Sequence, residues 1–125
     1  MSKKRVLVVD DSATVRSEVV SILTPAGFDV VEADNGESGA EIIGSDRRIA
    51  LVICDVNMPR MNGIEMVQRV KAEPSNGDLP ILMLTSEGDP GLIKQAKAAG
   101  ARGWVVKPFN PAHLVAAVHK LAGSA

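Results

Sequence analysis

Charge of either sign is not in excess in this sequence. Its 14 basic and 15 acidic residues leave a net charge of −1, which removes the electrostatic reason to expect nucleic acid or an anionic membrane as partner. Cysteine is nearly absent: the one thiol, Cys54, has nothing to pair with, so a disulfide framework is excluded and a reducing compartment fits. No apolar stretch approaches the roughly 20 residues of a membrane span. The basic N-terminus leads into only four apolar residues, Val6 to Val9, too few for the apolar part of a secretory signal. A cytoplasmic location is therefore expected. Val6 to Val9 are followed by no glycine-rich turn and no GxxxxGK, which argues against a nucleotide-binding protein. There is no basic helix-turn-helix, internal repeat, low-complexity tract or linker, and residues 1–125 read as a single domain.

What is present alternates. Val6–Val9, Ile49–Cys54, Ile81–Leu84 and Trp104–Val106 are short, nearly continuous apolar runs of the kind found in strands covered on both faces. Phe28–Ala33 mixes apolar and acidic residues, which suits an edge strand. Helical patterns lie between. Val15, Val19, Ile22 and Leu23 follow a capping residue at Ser12. Asp34 with Glu37, and Asn62 with Glu65, have capping-box spacing. Asp89-Pro90 and Asn110-Pro111 pair a cap with a proline suited to the first turn, and Leu114, Val118, Leu121 and Ala122 form one stripe after the second. Gly27 and Gly100 stand where helices stop. Strand then helix, five times, implies an α/β fold: a doubly wound five-stranded parallel sheet with right-handed crossovers.

Chemistry-bearing residues sit at the strand ends. Asp10 and Asp11 follow the first strand, Asp55 the third, Thr85 the fourth and Lys107 the fifth. Ligands of open parallel sheets bind outside the carboxyl ends of the strands, where the strand order reverses. In the flavodoxin-like order 2-1-3-4-5, an order known from doubly wound folds and not derivable from these residues, all five converge on one rim. Three carboxylates there would repel one another unless a cation were present, and oxygen donors with room for water suit Mg²⁺. A metal beside a carboxylate, a lysine and a hydroxyl makes a phosphoryl-transfer site. Asp55 would be the nucleophile, Lys107 a point charge and Thr85 a hydrogen-bond donor to a phosphoryl oxygen. Pro108 restricts Lys107 and is a candidate for a cis bond.

Asp10-Asp11, CDVNMPRMNG around Asp55, LTSEG after the fourth strand and GWVVKPF at the fifth together resemble the receiver domain of bacterial response regulators. The match spans essentially the whole chain. It implies phosphotransfer from a histidine kinase to Asp55 with Mg²⁺ held by the side chains of Asp10, Asp11 and Asp55 and the backbone carbonyl of Asn57. It also implies a switch, in which Thr85 moves toward the phosphoryl group and the aromatic at Trp104 turns inward. The aromatic here is Trp, where Tyr or Phe is usual. The face of helix 4, strand 5 and helix 5 would then change its preference for a downstream protein target. The chemotaxis type is the most similar, and in it the positions of Asn57 and Glu87 are associated with rapid loss of the phosphoryl group. The expected molecule is a stand-alone monomeric switch with no external turnover substrate, acting on the flagellar switch or another motility protein. The alternatives are a receiver piece of a larger transcription regulator or hybrid kinase, and a phosphate sink in a phosphorelay.

Blander roles exist for the same residues. Asp10 and Asp11 could simply cap the first helix, and Trp104 could cover a sheet edge. A phosphatase with a strand-end Asp would carry a second acid two residues on, where this chain has Asn57. Cys54 reads as a small buried hydrophobe, and Met58 and Met61 as packing of their loop. His113 and His119 read as exposed, and Lys3, Lys4 and Arg5 as a solvated N-terminus. Arg102-Gly103 stands where winged-helix regulators carry paired acids, which argues against their dimer face. The contact face is expected to include Lys94, Lys97, Ala101, Trp104, Val106, Phe109 and Lys120.

Overall fold

The computed structural model describes residues 3–58, 61–86 and 90–123. Its elements run β1 (Arg5–Val9), α1 (Ala13–Leu23), β2 (Asp29–Ala33), α2 (Gly36–Ser45), β3 (Ile49–Asp55), α3 (Gly63–Lys71), a single 3₁₀ turn (Pro74–Asn76), β4 (Ile81–Thr85), α4 (Pro90–Ala99), β5 (Gly103–Val106) and α5 (Pro111–Ala122). All strand pairs are parallel, in the order β2-β1-β3-β4-β5. The expected α/β fold and strand order are what the chain adopts.

Side chains of a strand alternate between faces, and here both faces are covered. Leu7, Val9, Val52, Cys54, Ile81 and Met83 pack with Ile43 of α2, Ile64, Met66 and Val67 of α3, and Ala96 of α4. Val6, Val8, Leu51, Ile53, Leu82 and Leu84 pack on the other face with Val19 and Leu23 of α1 and Leu114 and Val118 of α5. Continuous apolar runs in β1, β3 and β4 follow from that two-sided burial. β5 departs from it: as the outer strand beside β4 it buries one face only, and Trp104 and Val106 are exposed.

Helix starts are set by side-chain caps. Ser12 accepts from the Val15 amide and Asn110 from those of Ala112 and His113, while Asn62 and Glu65 form the full capping box. At α2 the cap is Asn35, which accepts from the Ser38 amide at 2.8 Å. The cap therefore sits one residue after the expected Asp34 and the Asp34–Glu37 box does not form; Asp34 instead accepts from the Asn35 side-chain amide at 2.7 Å. Asp89 lies outside the described residues. Gly27 and Gly100 adopt φ of 99° and 119°, the left-handed region that ends a helix cheaply only for glycine. The Lys107-Pro108 bond is cis.

The N-terminal cations are not simply solvated. Arg5 pairs with Asp29 of β2 and with Asp46 after α2. Lys4 Nζ donates to the Ala122 carbonyl at 2.6 Å, satisfying an end carbonyl of α5. His113 is exposed as expected, but His119 is half-buried, its ring 5.2 Å from that of Phe28. Ala101 is buried, so it is not part of an exposed contact face.

Candidate functional site

The rim at the carboxyl ends of β1, β3, β4 and β5 gathers the residues expected there. Asp55 and Thr85 are the last residues of β3 and β4, whereas Asp10 and Lys107 each follow their strand directly. Asp55 pairs in register with Leu84, and the Lys107 amide donates to the Thr85 carbonyl at 2.7 Å, so the four strand ends are locked side by side. Asp10 is fully buried, and Asp55 and Thr85 are nearly so; Asp11 and Asn57 are exposed. Carboxylate oxygens of Asp10, Asp11 and Asp55 lie within 4.8 Å of one another. Glu87 lies outside the described residues.

Lys107 bridges the two buried acids, its Nζ 3.1 Å from Asp10 Oδ2 and 3.2 Å from Asp55 Oδ1. The other oxygen of Asp10 accepts from the Ser12 amide at 2.9 Å. Asp55 titrates above the ordinary carboxylate range. Burial is the main cause and the Asp10 charge the second; Lys107 and the Asn57 amide, which donates to it, oppose them without prevailing. An ion pair would ordinarily lower the acid; here burial first and the Asp10 charge second outweigh it. Burial alone would lower the Lys107 pKa, but hydrogen bonding to Asp10 and the charges of Asp55 and Asp10 raise it, so it stays charged at neutral pH.

Three carboxylates against one ammonium leave the cluster net negative, with all-oxygen donors that could hold a metal. That donor set and the raised Asp55 titration fit a hard divalent cation. Cys54, beside Asp55, is fully buried; burial and the charges of Asp55 and Asp10 push its thiol far up, so it is an inert core residue.

Local packing explains how Asp55 is presented. A Cβ built on Gly63 would stand 2.1 Å from the Asp55 carbonyl oxygen, and the Gly63 amide donates to the Val56 carbonyl at 2.9 Å. Glycine lets the start of α3 close against the end of β3. Met58 is buried and Met61 half-buried against α2 and α3, as loop packing requires.

Trp104 lies outward, 37% exposed, with Lys97 Nζ 4.5 Å above its ring. Behind it, Val56, Met83, Thr85, Leu92, Ile93 and Ala96 line a cavity of about 10 Å³, room for one water at most. An indole enters only if the lining of that cavity moves. The sequence singled out every acid of the rim but not Arg16 of α1, whose guanidinium Nη1 donates to the Asp10 carbonyl at 2.6 Å.

Residues 6–119 match the family described as the response regulator receiver domain. The chemotaxis protein CheY homolog of Campylobacter jejuni is 41% identical over 108 residues, covering 86% of this chain and 83% of that protein. The phosphate regulon transcriptional regulatory protein PhoB of Pseudomonas aeruginosa is 36% identical over 93% of this chain and 50% of its own length. Among solved structures, the chemotaxis protein CheY4 of Vibrio cholerae superposes with a TM-score of 0.91 at 39% identity, covering 96% of this chain and 99% of that one.

Proposed function

This chain belongs to the response regulator receiver domain family, and from that premise we propose that it takes a phosphoryl group onto Asp55 from the phosphohistidine of a histidine kinase. Membership makes it a signalling switch rather than a classical enzyme. A carboxylate oxygen of Asp55 attacks phosphorus in line, and the P–N bond breaks with its electron pair returning to the imidazole. Lys107 neutralises an oxygen of the transferring group, and the Thr85 hydroxyl donates to another. The carboxylates of Asp10, Asp11 and Asp55 and the Asn57 carbonyl would hold Mg²⁺, which would supply the remaining positive charge. The family resemblance assigns the positions of Asn57 and Glu87 to tuning the loss of the phosphoryl group.

The observation that carries this reading is Lys107 bridging Asp10 and Asp55 within a cluster that remains net negative. Chemotaxis-type relatives covered over most of their length favour a stand-alone switch in chemotaxis or motility signalling. Its setting is the cytoplasm; no helix among the described residues is long and apolar enough to cross a membrane. The output is a downstream protein bound through α4, β5 and α5, with Thr85 and Trp104 coupling that face to Asp55.

The test is phosphorylation by a small phosphodonor with Mg²⁺, read by mass spectrometry, together with Trp104 fluorescence under Mg²⁺ and beryllofluoride. One phosphoryl group on Asp55, and a fluorescence change lost in Asp55→Asn, are expected. A wild-type protein that takes no phosphoryl group overturns the reading.

A further inference from the structure

We propose that Arg16 is a positioning residue for the metal site, closing the turn that carries Asp10 and Asp11; this rests on the reading of those acids as metal ligands.

The turn between β1 and α1 contains only Asp10, Asp11 and Ser12 before the helix begins. Arg16 grips it at both ends. Its backbone amide donates to the Ser12 carbonyl at 3.1 Å, as the first helical bond of α1, and its guanidinium donates to the Asp10 carbonyl at 2.6 Å. On the far side the Asp10 amide donates to the Ala33 carbonyl of β2 at 3.1 Å. The peptide unit joining Asp10 to Asp11 is therefore fixed by a charge-assisted bond on its carbonyl. Its orientation decides where the chain carries the exposed Asp11 carboxylate relative to the buried one of Asp10.

The guanidinium is itself aimed. Its Nε donates to Glu32 Oε1 on β2 at 3.2 Å, and the Arg16 side chain is only 17% exposed. A surface ion pair on its own stabilises little. This one splits a planar fork between a carboxylate and a backbone carbonyl, a geometry that an ammonium satisfies less well. Glu32 also balances the guanidinium's charge through their ion pair. Partners one step behind a metal ligand set its orientation, and their loss typically weakens metal binding by about 10–100-fold.

Mg²⁺ affinity is measured by isothermal titration calorimetry on wild type, Arg16→Ala, Arg16→Lys, Glu32→Gln and Asp11→Asn, with melting curves in EDTA alongside. Arg16→Ala is expected to weaken Mg²⁺ binding about tenfold. Arg16→Lys, which keeps a charged donor but loses the planar fork, should recover only part of that loss, and Glu32→Gln, on an exposed strand position, should weaken binding less than Arg16→Ala does. A merely structural role would lower the melting temperature and leave the affinity of the folded protein unchanged. Unchanged or tighter binding in Arg16→Ala overturns the proposal. If that variant does not fold, wild-type affinity in Glu32→Gln overturns it. Mg²⁺ binding in the wild type that Asp11→Asn does not weaken overturns the metal-site reading itself, and this proposal with it.

Discussion

Replacing Asp55 with asparagine should stabilise the metal-free protein. Coulomb's law with an effective dielectric of about 20 puts the repulsion between unit charges at the 4.8 Å limit of the acid cluster near 3.5 kcal/mol for each pair. Lys107, 3.2 Å from Asp55, returns about 5 kcal/mol on the same scale. Two repulsions against one attraction leave Asp55 disfavoured by about 2 kcal/mol. Asp11 is exposed and screening of its share removes most of that surplus, but burial, the first cause of the raised Asp55 titration, penalises the charged form as well, so about 1–2 kcal/mol is the working figure. The asparagine side chain would keep an oxygen for Lys107 and drop the charge. In EDTA at pH 7 the variant should melt about 4–8 °C above wild type.

The pH dependence gives the sign independently. A carboxyl whose folded pKa lies above its unfolded value contributes stability in acid and loses it as pH rises through the folded value. Asp55 is raised by burial first and by Asp10 second, so the wild type is penalised at neutral pH. The gap between Asp55→Asn and wild type should narrow as pH falls into the ordinary carboxylate range. Mg²⁺ at ten times its dissociation constant should return about 1.4 kcal/mol to the wild type and less to the variant, which lacks one of the proposed ligands. Differential scanning calorimetry reads all three. A variant that melts at or below wild type in EDTA at pH 7, or a gap that stays constant in acid, refutes the electrostatic account.

Gly63→Ala should lose about 2–3 kcal/mol in urea unfolding, because its Cβ meets the Asp55 carbonyl at 2.1 Å and the end of β3 must shift; an unchanged midpoint would contradict that packing. Lys97→Ala should cost no more than about 1 kcal/mol yet free the exposed indole of Trp104, shortening its anisotropy decay. An unaltered decay would mean that the lysine does not hold the ring.

The strands and the rim were legible because they depend on local facts. Two-sided burial writes continuous apolar runs, and a charged residue directly after such a run must lie at a strand end whatever its partners. Asp10, Asp11, Asp55, Thr85 and Lys107 needed only a strand order to become a site. Short-range competition was harder to read: Asp34 and Asn35 are both good caps, and the extended backbone of Asn35 decides for the second. β5 looked like a central strand because its apolar run carries no mark of having one neighbour only.

Contacts between distant elements left no trace in the sequence. Lys4 caps a helix 118 residues away, and Arg5 pairs with Asp46 across 41. Arg16 stands in the same position. On its helix it reads as a solvated cation, six residues past Asp10, with nothing local to aim it. Its role exists only because parallel pairing sets β2 beside β1, with Val8 opposite Glu32 and Val9 opposite Ala33. That register brings a carboxylate on the edge strand within reach of a guanidinium on α1, and the guanidinium then meets the one carbonyl that orients both N-terminal acids. Residues of the candidate site could thus be picked out by type and place, whereas the residue proposed to set their geometry could be found only once the sheet had assembled around it.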